Sequence, residues 1–305
     1  RQRAATCDTT TAEAMGIDTF LLQLLNSLQY GVLLFLLAAG LTLTFGIMGV
    51  LNLAHGSFFM IGAYLAFYLS LQAGLPLPLA ILASIAAVIV LGTIVEWFML
   101  APLVNRGHLD QVLLTYGLIL IFDELAVIFW GRDVQPAEIP KIFSGNVEVF
   151  SLFTYPVYRL VIIAVGLATA LGLYVLISKT RLGMIIRAGT VDRNLVRALG
   201  IPVQQIFSIV FGIGAALAAL GGIVASPVLS ISPGMGDRII IIAFVVVVIG
   251  GIGSVRGAFI GALLVGLVDV FGKALFPSVS SLGMYVLMGA VLLWRPEGLF
   301  GAPAR

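Results

Sequence analysis

From Phe20 to Trp294 the chain is a succession of apolar runs, separated by short connections rich in charge, glycine or proline. The runs cover about Phe20–Phe45, Phe58–Leu71, Leu79–Leu100, Val112–Trp130, Val157–Ile177, Ile206–Ser226, Arg238–Ile249, Ala258–Phe271 and Leu282–Trp294. A helix needs about 20 apolar residues to cross a bilayer core of about 30 Å. Only 10% of the 305 residues are charged and 61% are hydrophobic. Soluble domains carry about a quarter charged residues, so most of this surface must face lipid. The pattern predicts an all-α, polytopic membrane protein with about 8–9 transmembrane or part-spanning helices and glycine-rich breaks. The second, seventh and eighth runs are short for a full crossing.

The chain organises as a polar N-terminal tail at 1–18, one membrane domain at 19–300 and a short tail at 301–305. Residues 1–18 lack the hydrophobic core of a signal peptide, which leaves targeting to the first apolar run. Cys7 is the single cysteine, which excludes an intrachain disulfide. The two histidines, His55 and His108, are far apart, so no metal site is expected.

The longest polar interruption is Ser178–Pro202, where Lys179, Arg181, Arg187, Arg193 and Arg197 face one acid, Asp192. Lys and Arg collect on the cytoplasmic side of membrane proteins, so residues 178–204 are assigned to the cytoplasm. Alternation then places Arg106 and His108 inside, the 131–156 stretch and the N-terminus outside, and the C-terminus inside. Within 131–156, Val147, Val149, Phe150 and Phe153 allow a small hairpin. In the basic loop Thr190 is a candidate N-cap, with Asp192 in the first turn. Val191, Leu195, Val196 and Leu199 follow at helical spacing, and Gly200 and Pro202 end the pattern. This predicts a short amphipathic helix over about Val191–Leu199. It suits either an anionic lipid surface or a cytosolic partner.

Two glycine-rich breaks interrupt the apolar pattern. Gly46–Ser57 carries Asn52 and His55, spaced to share a face if helical; Gly250–Gly257 is the second. The steps His55-Gly56-Ser57-Phe58 and Arg256-Gly257-Ala258-Phe259 match, which hints at an internal repeat of the kind transporters use. Asn52 and His55, with Thr42 and Thr44 before them, either satisfy broken backbone or line the inner end of a pathway. Glu96, Asp123, Glu124, Asp269 and Lys273 lie in or near apolar runs, with Asp269 and Lys273 spaced to pair. Structural pairing is the favoured role; in an ion-coupled carrier the acids would be the coupling sites. Stripes of small residues, Gly214-Ala218-Gly222 and Gly253-Gly257-Gly261, predict close helix packing. One of them is also a candidate contact with a second membrane chain.

The segments TLTFGIMGVLNLAHGSFFMIGAYL (42–65), GRDV (131–134), RLGMIIRAGTVDRNLVRALGI (181–201) and GGIGSVRGAFIGALLVG (250–266) occur in this order. Together they resemble the permease subunits of branched-chain amino acid ABC importers, over about residues 20–300. The resemblance implies a permease of the bacterial inner membrane that translocates branched-chain or other small amino acids. Relatives serving urea, short amides or aromatic acids leave the substrate open. It implies as partners a second related permease, two cytosolic ATPase subunits, a periplasmic solute-binding protein and membrane lipid, with no nucleic acid. It assigns the ATPase-coupling helix to the basic loop, with Arg187, Ala188, Val191, Asp192, Leu195, Val196, Ala198, Leu199 and Gly200 as coupling residues. Thr44, Asn52, His55 and Gly56 are the corresponding candidates for the pathway or its gate. The chain has no Gly-x-x-x-x-Gly-Lys-[Ser/Thr] phosphate loop. ATP and Mg²⁺ would therefore sit on the partner ATPases, with no cofactor or catalytic residue in this chain. An ion-coupled carrier using Asp123, Glu124 or Asp269 is the second reading. A membrane enzyme has no catalytic cluster to support it.

Overall fold

A computed structural model describes residues 16–104, 106–149, 153–191 and 193–301. Eleven helices are placed: α1 (Ile17–Met48), α2 (His55–Phe67), α3 (Leu77–Val95), α4 (His108–Trp130), α5 (Val157–Lys179), α6 (Arg181–Val191), α7 (Arg193–Ala198), α8 (Val203–Leu229), α9 (Met235–Gly250), α10 (Val255–Leu275) and α11 (Ser280–Trp294). Single π-helical turns extend α2 to Gln72 and α3 to Leu100. Strands β1 (Asn146–Val149) and β2 (Phe153–Pro156) form an antiparallel hairpin with Val147 opposite Tyr155. The hairpin expected from the alternation near Val147 and Val149 is therefore present; Phe150 lies outside the described residues.

Among the described residues six helices are long and apolar enough to cross a membrane: α1, α3 with its extension to Leu103, α4, α5, α8 and α10. Of the three runs that are short in sequence, two give short helices and one does not. α2 (13 residues) and α9 (16 residues) are short, whereas α10 spans 21 residues because it starts before Ala258 and continues past Phe271. α11, at 15 residues, starts two residues before its run and stays below the length of a full crossing.

α1 is the hub. A helix that is apolar on every side has no face to give to water and is buried whole, and α1 from Val32 to Leu43 is almost without exposure. α5, α8, α9 and α10 pack around it. α2 sits against α8, α3 and α9 on one flank. α4 touches mainly α2 and turns Leu113, Ile128 and Phe129 outward.

Lipid offers little hydrophobic drive between helices, so close contact of small residues does this work. Both small-residue stripes are used for it inside the chain. A Cβ on Gly214 would lie 3.1 Å from the Gly40 carbonyl of α1. Gly222 packs directly on the Phe59 carbonyl of α2, and Gly257 on Gly250. A Cβ on Gly261 would lie 2.8 Å from the Val246 carbonyl of α9. The suggestion that one stripe meets a second permease chain is thus corrected: both are occupied within this one.

The two glycine-rich breaks touch. A Cβ on Gly46 would lie 2.7 Å from Gly253 Cα. Each break launches a helix, α2 at His55 and α10 at Val255. Between helices, Tyr158 of α5 donates to the Val224 carbonyl of α8 at 2.8 Å.

Candidate functional site

Two regions carry the predicted site residues, and they lie at neighbouring parts of the bundle. The first is the basic loop. α5 ends at Lys179, and Thr180 turns into extended backbone. Thr180 Oγ1 accepts from the Gly183 N–H at 3.1 Å, and the Thr180 carbonyl accepts from Met184 N–H at 3.1 Å. Thr180, not Thr190, is therefore the residue that caps the loop's first helix. Thr190 lies inside α6 with its hydroxyl donating to the Arg187 carbonyl at 2.8 Å. The expectation of Thr190 as N-cap fails because the chain already turns back into a helix at Thr180, which leaves Thr190 in that helix's last turn. A Cβ on Gly183 would collide with the Leu176 and Ile177 carbonyls, so only glycine lets α6 fold back this tightly onto α5.

The expected helix Val191–Leu199 is thus split. Val191 ends α6 and α7 covers Arg193–Ala198; Asp192 lies outside the described residues. The stop signal at Gly200 acts as predicted. Gly200 has φ +78°. Its N–H donates to the Arg197 carbonyl at 3.0 Å, and the Ile201 N–H reaches the Val196 carbonyl at 3.4 Å. This pair of bonds is a Schellman turn, which uses the left-handed residue to satisfy the last carbonyls.

The apolar stripe does not act as one face. Val196 is 3% exposed and lines a small void with Ile47 of α1 and Phe207 of α8. Leu195 and Leu199 are 59% and 70% exposed. Arg187, Ala188, Arg197, Ala198 and Gly200 are also on the surface. α7 is therefore pinned from beneath by one valine and presents two leucines outward. Arg187 turns back and donates to the Ile177 carbonyl at the end of α5.

The second region is the break between α1 and α2. Gly49 (φ 61°) ends α1, its N–H donating to the Phe45 carbonyl at 2.8 Å. Asn52 precedes α2 and lies in the break, so the helical face expected for Asn52 and His55 does not form. Instead the Asn52 carbonyl accepts from His55 N–H at 3.3 Å. Thr44 Oγ1 donates within its own helix, to the Gly40 and Leu41 carbonyls at 3.1 and 3.0 Å.

His55 is fully buried and its ring lies between α1 and α8. A Cβ on Gly40 would be 2.7 Å from His55 Nε2, and one on Gly214 would be 3.4 Å from Cε1. The ring meets Phe58 edge-on, and Phe58 meets Phe122 of α4 and Phe211 of α8. Gly56 packs backbone to backbone on α9, since a Cβ there would lie 2.5 Å from the Gly236 carbonyl. The side-chain polar atoms of Thr42, Asn52 and Ser57 are buried with no protein hydrogen-bond partner among the described residues, and the buried His55 ring lies beside the Leu37 backbone within α1. Asn52 and His55 thus do not satisfy the broken backbone. The region is a packed seam of α1, α2, α8 and α9, with polar groups inside it, rather than an open lining.

The membrane acids are mostly held by partners. Glu96, fully buried, accepts from Gln204 Nε2 at 3.0 Å and Ser208 Oγ at 2.6 Å, both on α8. Asp269 pairs with Lys273 at 2.6 Å along α10. Glu124 is exposed. Asp123 lies beside Gly234 and the Asp237 carboxylate at the start of α9. Among the described residues no group of three or more His, Cys, Asp or Glu is placed to hold a metal. Gln204, Ser208 and Asp237 were not singled out from sequence; a helical polar stripe at Gln204 and Ser208 was the available signal.

The family described as "Branched-chain amino acid transport system / permease component" matches residues 23–294. The chain belongs to this family. It is 36% identical over 304 residues to the high-affinity branched-chain amino acid transport system permease protein BraD of Pseudomonas aeruginosa, covering 93% of this chain and 96% of BraD. It is 30% identical over 300 residues to the corresponding protein LivH of Escherichia coli, covering 93% and 96%. LivM of the same organism, another permease protein of high-affinity branched-chain amino acid transport, is 28% identical over 298 residues, covering 87% and 67%. These relatives are transport permease proteins by description, and the several apolar helices agree with a multi-pass membrane protein.

Proposed function

We propose that this chain is the transmembrane permease subunit of an ATP-driven importer of branched-chain or other small amino acids. The observation that carries the reading, in a chain of this family, is the α6–α7 projection. A six-residue helix, closed by a left-handed glycine and pinned by Val196, holds Leu195 and Leu199 out at one end of the bundle. Exposed leucines on a rigid, positively charged loop fit a groove on a cytosolic ATPase. Two such ATPases, holding ATP and Mg²⁺, supply the energy, and this chain performs no covalent chemistry.

The packing supports a route for the movement. α7 rests on α6 and α8, α6 rests on α1 and α5, and α8 lies along α1, α2 and α3. A push on α7 reaches α8 first, and Gly214 of α8 lies against His55 and Thr44. Thr44, Asn52, His55 and Gly56 then belong to the seam that moves when the gate opens, not to the wall of the pathway. Interfaces of this packed kind switch between discrete arrangements rather than deform continuously.

A second, related permease chain completes the pathway; the likeness to both LivH and LivM supports a heterodimer. A periplasmic protein delivers the solute and sets most of the selectivity. The positive charge of the basic loop supports a cytoplasmic side for α6 and α7, with the N-terminus periplasmic and the C-terminus cytoplasmic in a bacterial inner membrane.

Reconstitution in liposomes tests this. Uptake of leucine, isoleucine or valine should require the ATPase subunits, the binding protein and internal or external ATP according to orientation. Uptake by this chain alone, driven by an ion gradient, would establish a secondary carrier instead.

A further inference from the structure

A cleft lies on the flank of the bundle at the end that carries α6. α5 and α10 both pack along α1 but hardly touch each other. The wedge between them is a cavity of about 810 Å³. Its floor is α1 from Phe35 to Leu43, a rise of about 12 Å at 1.5 Å per residue. Ile177 of α5 and Phe259 and Ile260 of α10 make its apolar walls, and Ile260 is partly exposed at its edge.

One end of this apolar slot is basic. Arg187 of α6 and Arg256 of α10 both line it, with the hydroxyls of Thr190 and Ser254 beside them. Arg256 lies over the Tyr174 ring, 5.4 Å from its centre. Arg187 is steadied by the Ile177 carbonyl. Among the described residues neither guanidinium has a carboxylate within ion-pair distance. Two arginines on different helices thus line one end of an apolar slot, with no carboxylate among the described residues paired to either.

We propose that this cleft binds an anionic phospholipid of the surrounding bilayer. The phosphate is held between Arg187 and Arg256, and an acyl chain lies along α1 between α5 and α10. Guanidinium offers paired N–H donors that match a phosphate. Basic pockets between membrane helices suit anionic headgroups. An apolar slot running about 12 Å beneath the charge suits the attached chain and not a free anion. The site uses neither the α1–α2 seam nor the outward leucines of α7, and shares only Arg187 with the residues assigned to coupling.

Native mass spectrometry of the full chain, purified in neutral detergent with any co-purifying subunits, tests the proposal. Phosphatidylglycerol and phosphatidylcholine are added in parallel, and thermal unfolding is followed under the same conditions. The wild-type protein should retain phosphatidylglycerol about tenfold better than phosphatidylcholine and be stabilised by it. R187Q/R256Q should lose that preference, while K141Q, remote from the cleft, should keep it. Ile260→Trp, which fills the slot but leaves both arginines, should also lose bound lipid. If the double variant is not recovered folded, R256Q alone, at an exposed position, serves the same comparison. Equal retention of both lipids, or a preference untouched by R187Q/R256Q, overturns the proposal. So does equal protection by inorganic phosphate without lipid, or a second protein chain seated on the cleft whose binding needs these arginines.

Discussion

The imidazole of His55 occupies the space that a side chain at residue 40 would need. A Cβ on Gly40 would lie 2.7 Å from His55 Nε2 and 2.7 Å from the Gly214 carbonyl. Three helices therefore meet at this point with glycine on two of them and an aromatic ring from the third. Gly40→Ala should lower the midpoint of thermal unfolding in detergent, by the equivalent of about 1–3 kcal/mol for overpacking, and Gly40→Val more. An alanine variant as stable as wild type would show that the seam has room the structure denies it.

Glu96 joins the end of α3 to α8 through Gln204 and Ser208. Glu96→Ala should destabilise the protein by about 1–3 kcal/mol, because it strands two polar partners next to lipid. Glu124→Ala, at an exposed position, should stay within about 0.5 kcal/mol. Thermal unfolding of both variants checks the contrast, and equal effects would mean that the buried contacts of Glu96 contribute nothing.

Lys273 and Asp269 form a pair in which the carboxylate is buried and the amine is 60% exposed. Lys273→Met should cost more than the pair D269N/K273M, since the single change leaves a buried carboxylate without its cation. A double-mutant cycle on unfolding should give a coupling of about 0.5–2 kcal/mol. A coupling near zero would reduce the pair to a surface contact.

Much of this architecture was legible from the sequence because lipid permits few alternatives. Runs such as Val157–Ile177 and Val112–Trp130 fall within α5 and α4, since length and apolarity alone decide a spanning helix. Gly200 was legible as a stop because a left-handed residue after a helix favours glycine. Which residues turn inward was not legible. The stripe Val191, Leu195, Val196, Leu199 has one period, yet Val196 is buried and Leu199 exposed, because Ile47 and Phe207 from distant helices decide what α7 rests on. Thr190 and Thr180 are equally good caps by residue type. The folding back of α6 on α5 at Gly183 selected Thr180. Asn52 and His55 were paired by spacing, but spacing assumes a helix that begins only at His55. The small-residue stripes showed close packing without naming the partner, which proved to lie within the same chain.

The central claim is that α7 engages an ATPase through its outward leucines. Leu195 and Leu199 are exposed, so Leu195→Asp with Leu199→Asp should leave the permease inserted and folded. ATPase subunits should no longer co-purify with this variant, and ATP-driven uptake in liposomes should fall to the level without ATP. Val196→Asp should instead impair folding, because Val196 is buried. Retained co-purification with uptake at the wild-type rate in the double-leucine variant would contradict the account.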